Sequence, residues 1–243
     1  MIPVSYDMHI HSCLSPCGDD DMTPGNIVGM AALLGLDVIA LTDHNTCKNC
    51  PAFMSLAEDF GIVAVPGMEL TTSEEVHVLC YFENLTDALA FDKYVESHIL
   101  PIPLNSQFFG NQIIIDKDDN PCGTFDTLLI SATDISFDKA YDIIKEYNGI
   151  MVPAHLDKSS TSLLSNLGLI PEDSKFRIAE LRNPSRYDEL KSLHPYLNFC
   201  HILSSTDAHK LESLKEPLNF LHVESKSTNG VYKTLQRYEQ EAI

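Results

Sequence analysis

Residues 5–66 read SYDMHIHSCLSPCGDDDMTPGNIVGMAALLGLDVIALTDHNTCKNCPAFMSLAEDFGIVAVP, and their rhythm decides the fold. Residues 5–9 form a short strand. Thr23 then stands where a helix N-cap is wanted and Pro24 at the first helical position, opening a helix to about Leu34 that Gly35 stops. DVIALT at 37–42 is a buried-type strand, 51–60 a helix closed by Gly61, and 62–66 another apolar strand. Such a β-α-β-α-β succession implies parallel strands joined by right-handed crossovers, an α/β class whose functional groups gather at the strands' C-terminal ends.

Outward from this stretch, EVHVLCYF at 75–82 is a fourth strand and 86–98 a helix. The rhythm breaks between Pro101 and Asp134, where a hairpin around Asp118–Gly123 and an apolar run make the segment an insertion. It resumes with a helix at 137–147 and a strand at 150–154. Further strands follow at 175–181, 199–204 and 220–224, with an amphipathic helix from Ser227. At 243 residues and 44% hydrophobic composition the chain can bury a full core, and one domain suffices.

Charge and cysteine content narrow the setting. Sixteen Lys plus Arg stand against 35 Asp plus Glu, a formal charge of -19, which opposes broad binding to long nucleic acid or to anionic membrane. Bound cations would neutralise several of those carboxylates. No stretch approaches the roughly 20 apolar residues of a membrane span, and residues 1–11 lack a basic region followed by an apolar run, so a cytoplasmic protein is expected. Seven cysteines, an odd number, fit reduced thiols or metal ligands better than a disulfide framework.

The chemistry resides in a series: His9 and His11, Asp43-His44, Glu69, His77, His155 and Asp207-x-His209. Each lies at or just past a strand, so the fold would gather them at one end. Alternate residues of a strand share a face, which lets both rings of His9 and His11 reach one ion. Imidazole with carboxylate suits Zn, Mn or Fe, and the set is large enough for more than one ion, so metal-assisted hydrolysis is the first expectation.

The series resembles the PHP family, the polymerase and histidinol phosphatase metallohydrolases. The matching pieces are Asp7-Met8-His9-Ile10-His11-Ser12, Leu41-Thr42-Asp43-His44, Pro153-Ala154-His155 and Ser205-Thr206-Asp207-Ala208-His209. Gly67-Met68-Glu69 and Val76-His77-Val78-Leu79 look like its bridging glutamate and the histidine that follows. The resemblance implies a distorted seven-stranded β/α barrel, like a TIM barrel and the amidohydrolases. It also implies two or three divalent ions (Zn, Mn, Fe or Mg) and phosphoester hydrolysis. His9, His11, Glu69 and Asp207 would hold the first ion, and Glu69, His77 and His155 the second. A third would use His44 and His209 with a residue after the first motif; counting back from Thr23-Pro24 favours Asp19, while Asp20 and Asp21 read as a solvated face.

Other candidates carry plainer roles. His98, His194, His201 and His222 lack motif partners and read as structural. Asp7 is expected to accept a hydrogen bond from an imidazole, and Asp43 to be structural or to orient a ligand. Cys13-x3-Cys17 and Cys47-x2-Cys50 sit in adjacent loops, yet no zinc-ribbon spacing connects them, so separate thiols are favoured; Cys80, Cys122 and Cys200 pack.

For the substrate, Lys158, Arg182 and Arg186 are the cations placed to meet phosphate, with Lys210 beside His209, and either Asp207 or His209 would protonate the leaving oxygen. A small phosphorylated substrate, a nucleotide among the candidates, suits a chain without an aromatic-basic track. Two alternatives stand beside it: an exonuclease or oligonucleotide phosphodiesterase, and a catalytically idle metal-stabilised module that binds a nucleotide or a protein. From the apolar residues Phe108, Phe109 and 113–115, the insertion is expected to cover barrel surface or a sugar or base.

Overall fold

The computed structural model describes residues 1–241. Three strands run parallel as the opening rhythm requires: β1 (Ile2–Ile10), β2 (Val38–Leu41) and β3 (Val63–Thr71), with Tyr6 beside Val38 and Ile39 beside Ala64. Helices α1 (Pro24–Leu34) and α2 (Cys50–Asp59) make the crossovers. The entry to α1 is chemically fixed, because Thr23 Oγ1 accepts the Asn26 N–H at the N-cap. Its exit is fixed by Gly35, whose φ of 77° lets its N–H reach back to the carbonyls of Ala31 and Ala32.

The parallel order then ends. Only residues 72–76 separate Thr71 from β4 (His77–Tyr81), too few for a crossover, so the chain turns through Glu75 at φ 59° and β4 returns antiparallel to β3. After α3 (Leu85–Glu96), a hairpin of β5 (Ile113–Ile115) and β6 (Pro121–Thr124), and α4 (Phe137–Glu146), β7 (Ile150–Pro153) pairs antiparallel to β4. Helix α5 (Leu163–Leu167) leads to β8 (Ile178–Glu180), and α6 (Tyr187–Leu193) to its parallel partner β9 (His201–Leu203). Finally β10 (Phe220–Val223) pairs antiparallel to β1, and α7 (Thr228–Gln240) closes the described chain. The α/β class is as expected, but the uniform parallel succession is not.

The result is a curled sheet, a half-barrel in the order β10-β1-β2-β3-β4-β7, with the β8-β9 pair across its open side. Few backbone hydrogen bonds join that pair's segments to the sheet: Leu156 N–H to Glu180 O at 2.9 Å on one side, and His11 N–H to Ala208 O at 2.9 Å with Ala208 N–H to His9 O at 3.3 Å on the other. Among the described residues, hydrogen bonding divides the strands as six, two and two rather than as seven equivalent β/α units.

Alternation along the strands separates two apolar layers and positions the site. One layer gathers Val38 and Ala40, Val63 and Val65, Leu79 and Tyr81, Ile150 and Val152, and Ile178, with Val231 and Leu235 of α7. The other holds Ile39, Leu41, Met68 and Leu70 against Ile27, Ala31 and Phe53 of α1 and α2. Continuing the first set upward by twos reaches Thr42 and His44, Gly67 and Glu69, His77, and Glu180. The pattern is therefore an apolar stack that turns polar at its upper end. In β1, Met8 belongs to the apolar stack, and a register irregularity between Asp7 and Ile10 lets His9 and His11 follow it on the same side.

Segment 101–134 is fastened over the loops that follow β1 and β2. Ile113 N–H bonds Cys13 O, Asn45 Nδ2 donates to the carbonyls of Leu129 and Ser131, and Asp119 accepts from Thr23 Oγ1 and Gly25 N at the start of α1. The hairpin falls where expected. Ile115 is buried, whereas Phe108 and Phe109 are exposed.

Gly67 is where strand β3 is most tightly enclosed. A Cβ there would lie 2.9 Å from Cys80 O, 3.1 Å from Thr42 Cγ2 and 3.2 Å from Leu41 O. Gly67→Ala is expected to lower stability by about 1–3 kcal/mol, seen as a lower urea midpoint at unchanged slope; an unshifted midpoint would show that this layer yields freely.

Candidate metal centre

Six imidazoles and two carboxylates converge at the polar end of the stack, and five of the imidazoles are shut away from solvent. His9, His11, His44, His77 and His155 are buried, as is Glu69. Glu69 is the hub. Its Oε1 lies 2.9 Å from His77 Nδ1, 3.1 Å from His155 Nε2 and 3.3 Å from His9 Nε2; its Oε2 lies 3.1 Å from His44 Nδ1 and 3.2 Å from His11 Nε2. Asp207 Oδ1 closes the other side, 3.3 Å from His9 Nε2 and 3.4 Å from His11 Nε2. His209 stacks on His11 with ring centroids 4.1 Å apart.

This donor set fits divalent ions. Ligand bonds of roughly 2.0–2.2 Å put adjacent donors roughly 3.0–3.5 Å apart around one ion, the separation seen here. His9 Nε2 faces His11 Nε2 at 3.1 Å, two ring nitrogens aimed at one point between them. Three triads converge with ligand atoms within 4.8 Å: His9-His11-Glu69, His44-Glu69-His77 and His11-His44-His209. His44 leans on Glu69, 3.1 Å away, more closely than on His209, whose ring centroid lies 6.3 Å from its own.

Backbone conformation aims two of the expected ligands. His155 has φ 30° and Asp207 φ 54°, values that cost about 1–3 kcal/mol for residues with a Cβ. Neighbours hold them there: the His155 N–H donates to Glu180 Oε2 at 3.0 Å, and Asp207 Oδ2 meets Lys158 Nζ at 3.2 Å.

A layer of acceptors orients the rings. His11 Nδ1 lies 2.9 Å from Ser15 Oγ, which donates to Asp43 Oδ1, and Asp43 also takes the Ser12 N–H and hydroxyl. Asp7 corrects its expected role, for it accepts no imidazole proton. Its carboxylate takes Thr206 Oγ1 and N and, at 3.4 Å, the His9 N–H, so it anchors the segment that carries Asp207. Glu180 is the residue that sequence reading missed: its Oε2 sits 3.0 Å from His9 Nδ1 as well as from the His155 N–H. Its Oε1 is buried without a partner. The signal was the alternation from Ile178, which puts Glu180 next on the interior face.

The charges are strongly coupled. Burial opposes ionising Glu69, but His77, His9 and His44 outweigh it and hold the carboxylate well below its usual range. Asp207 is lowered likewise by His9 and His11 against its own burial. His9 is pushed the other way: burial disfavours its charge, yet Glu180, Asp207 and Glu69 raise it well above 6.5. His11 is raised, also against burial, by Asp207 and Glu69. Burial, with His11 beside it, lowers His209 to about 4, and His44 is depressed by burial despite Glu69.

The remaining sequence candidates fall outside the cluster. Asp19 is exposed and faces Lys210 at 3.8 Å rather than His44 and His209, while Asp20 accepts from Asn111. Arg186 pairs with Glu189, and the Arg182 backbone N–H donates to Asp157. All seven cysteines are free, and the triads contain none of them; Cys47 and Cys50 both approach Gly67 O, and Cys13 packs with Ala52 and Ile115. His98 bonds Asp134.

Two expectations follow. His9 and His11 are raised, hence proton-loaded below their shifted values, so metal must displace protons and its affinity rises with pH through the neutral range. Titrating Mn2+ into chelator-stripped protein in buffers of different ionisation enthalpy should show at least one proton released at pH 7, and His9→Gln should diminish that release; no release would mean a neutral His9. Glu180→Gln should weaken metal binding about 10–100-fold in a folded protein, and undiminished affinity would remove its orienting role.

A Methanocaldococcus jannaschii protein described as uncharacterised is 32% identical over 99 residues, 37% of this chain and 58% of that one. A 5'-3' exoribonuclease of Haemophilus influenzae is 32% identical over 77 residues, 30% of this chain and 27% of that one. The chain thus spans little more than half, and about a quarter, of these relatives. Its fold matches the lesion-specific endonuclease EndoQ of Pyrococcus furiosus with a TM-score of 0.68 at 19% identity, over 97% of this chain and 56% of the endonuclease. The PHP domain family model matches residues 7–156, which hold seven of the nine expected ligands, and the chain belongs to that family.

Proposed function

We propose that the protein is a metal-dependent phosphoesterase that hydrolyses a small phosphate ester, a phosphomonoester or a nucleotide, with two or three divalent ions. The observation that carries this reading is Glu69, whose two oxygens each meet a different group of imidazoles, as a carboxylate bridging two ions would. His9 and His11, which share Asp207 Oδ1, would hold one ion with Glu69, and His77 with His155 the other, His9 standing between the two because it meets the same Glu69 oxygen as His77 and His155; His44 with His209 would offer a third position.

Bound divalent ions supply Lewis acidity and lower the pKa of coordinated water. The protein's own residues do the rest. Glu180, Ser15 and Asp43 keep the His9 and His11 rings turned so that their Nε2 atoms face the centre. His209 Nδ1 lies 2.9 Å from Asp207 O, which leaves Nε2 with its lone pair for the site. Lys158, beside Asp207, is the cation that meets a phosphate oxygen. Asp207 and His209 line the corner that would face the leaving oxygen, where His209 must first take up a proton before it could donate one. Arg182 and Arg186 extend the positive side of the mouth, and Asp19 stands farther out beside Lys210.

A second reading, cleavage of a phosphodiester in nucleic acid, draws on two relatives. One is the exoribonuclease that shares sequence with this chain; the other is endonuclease Q, which has been seen with a 27-mer duplex bearing an abasic lesion. The formal charge of -19 weighs against a long polynucleotide track. Among the described residues no helix is long and apolar enough to cross a membrane, in keeping with a cytoplasmic enzyme.

The deciding experiment combines elemental analysis with a phosphate-release screen over nucleotides, sugar phosphates and short oligonucleotides. Wild-type protein should carry at least two transition-metal equivalents and lose them on combined His9→Ala and His11→Ala substitution. Glu69→Gln should lower turnover by two orders of magnitude or more, on the order of 3 kcal/mol of barrier, while Asp20→Asn leaves it near wild type. Full activity in a metal-free wild-type protein would refute the reading.

A further inference from the structure

Segment 101–134 meets the metal centre through two buried asparagines. Asn45 directly follows His44, and Asn49 stands at the entry to α2 on the same loop. Asn45 Nδ2 donates to the carbonyls of Leu129 at 2.7 Å and Ser131 at 2.8 Å, while its Oδ1 accepts the Thr71 N–H at 2.8 Å. Its own N–H donates to Glu69 O at 2.9 Å. One residue thus ties the inserted segment to the strand that carries Glu69, immediately after an expected ligand. Asn49 makes the matching link toward β1. Its Nδ2 donates to Ser12 Oγ at 2.9 Å and Ile113 O at 3.1 Å, and its Oδ1 accepts the Ile115 N–H at 2.9 Å. Ser12 Oγ in turn donates to Asp43, which also takes the Ser15 hydroxyl that lies against His11.

These side chains are turned away from their ordinary local uses. An asparagine at an N-cap usually accepts from the first turn of its own helix, yet Asn49 makes no such bond. Asn45 stands at φ 54°, where glycine would serve the backbone as well, so what asparagine adds is its three side-chain bonds. The segment is shaped to receive them. Buried Gln112 accepts the Leu129 N–H on Oε1 and donates from Nε2 to the carbonyls of Phe125 and Thr127, and Thr133 donates both its N–H and its hydroxyl to Thr71 O.

We propose that Asn45 is a positioning residue through which segment 101–134 sets His44 against Glu69, so that docking of the segment and occupancy of the ion beside His44 strengthen one another; this rests on the metal-centre reading above. Lifting the segment strips Asn45 Nδ2 of both acceptors, and a buried amide left unpaired costs enough to loosen the turn that carries His44. An ion that holds His44 and Glu69 together also holds the turn that grips the segment. The coupling is reciprocal, because each event raises the other's equilibrium constant by the same factor.

The first test needs no variant. Amide exchange in peptides covering 125–134 of the wild-type full chain, read by mass spectrometry, should slow on the order of tenfold when Mn2+ saturates chelator-stripped protein. The slowing should exceed that in α7, which reports general stabilisation. Equal slowing in both, or none, would overturn the coupling; a wild-type chain that bound no Mn2+ would overturn it together with the metal reading. Asn45→Gly keeps the backbone conformation and deletes the three bonds. It should lower the affinity for at least one Mn2+ about 10–100-fold and remove the metal-dependent slowing at 125–134. Gln112→Ala, which acts from the segment's side and touches no expected ligand, should weaken Mn2+ binding in the same direction. A merely structural asparagine would lower the urea midpoint of the metal-free protein and leave Mn2+ affinity and the slowing as in wild type, and that result in the folded variants would overturn the proposal. None of these readouts involves hydrolysis, so a chain that shows the coupling but cleaves no phosphate ester refutes the hydrolytic reading alone.

Discussion

A carboxylate without access to water sits at the centre of this protein, and the fold is organised around satisfying it. Removing an ionised glutamate from solvent costs several kcal/mol unless positive or polar partners surround it. Glu69 receives such partners from four segments: those ending β1 and following β2, the start of β4, and the loop after β7. A long central strand, β3 at nine residues, carries Glu69 past the ends of its neighbours into that ring. The antiparallel return of β4 follows from the same need, since pairing Thr71 with His77 sets the first residue of β4 at the height where β1 and β2 end.

Strain and repair are coupled on the opposite side. His155 and Asp207 occupy positive φ, and each is held by a residue that also serves a metal ligand. Glu180 links the His155 backbone to the His9 ring, and Asp7 links the Asp207 segment to the His9 backbone. These two acids join the β8-β9 pair to the sheet where few backbone hydrogen bonds bridge the gap. The weakest seam of the half-barrel therefore runs beside the centre, and the carboxylates that close it also orient the ligands.

How much of this was legible in the sequence depends on the range of each interaction. Local chemistry was readable: Thr23-Pro24 and Gly35 bound α1 as expected, and the ligand series was recognisable because strand ends deliver it in chain order. Strand direction was harder, although the shortness of 72–76 contained the answer. Asp19 was chosen by counting along a loop, and counting does not reveal that the backbone turns its carboxylate outward to Lys210. Asp7 was assigned by strict alternation, which the irregularity in β1 breaks before His9. Glu180 carries no motif of its own; only the pairing of β8 with β9 across the open side brings it to His9, 171 residues away in sequence.

The charge distribution gives the centre a direction. The acidic run at 19–21 lies on the loop after β1, whereas Lys158, Arg182 and Lys215 follow β7, β8 and β9. An anion approaching so negative a protein meets repulsion over most of its surface, and cations concentrated on one flank lower that barrier along one route. Lys158 touches the Asp207 carboxylate itself, while Arg182 and Lys215 line a cleft that contains none of the clustered histidines. The same flank is the seam closed by Glu180 and Asp7. An anion would thus meet least repulsion beside the part of the barrel that backbone pairing leaves most open.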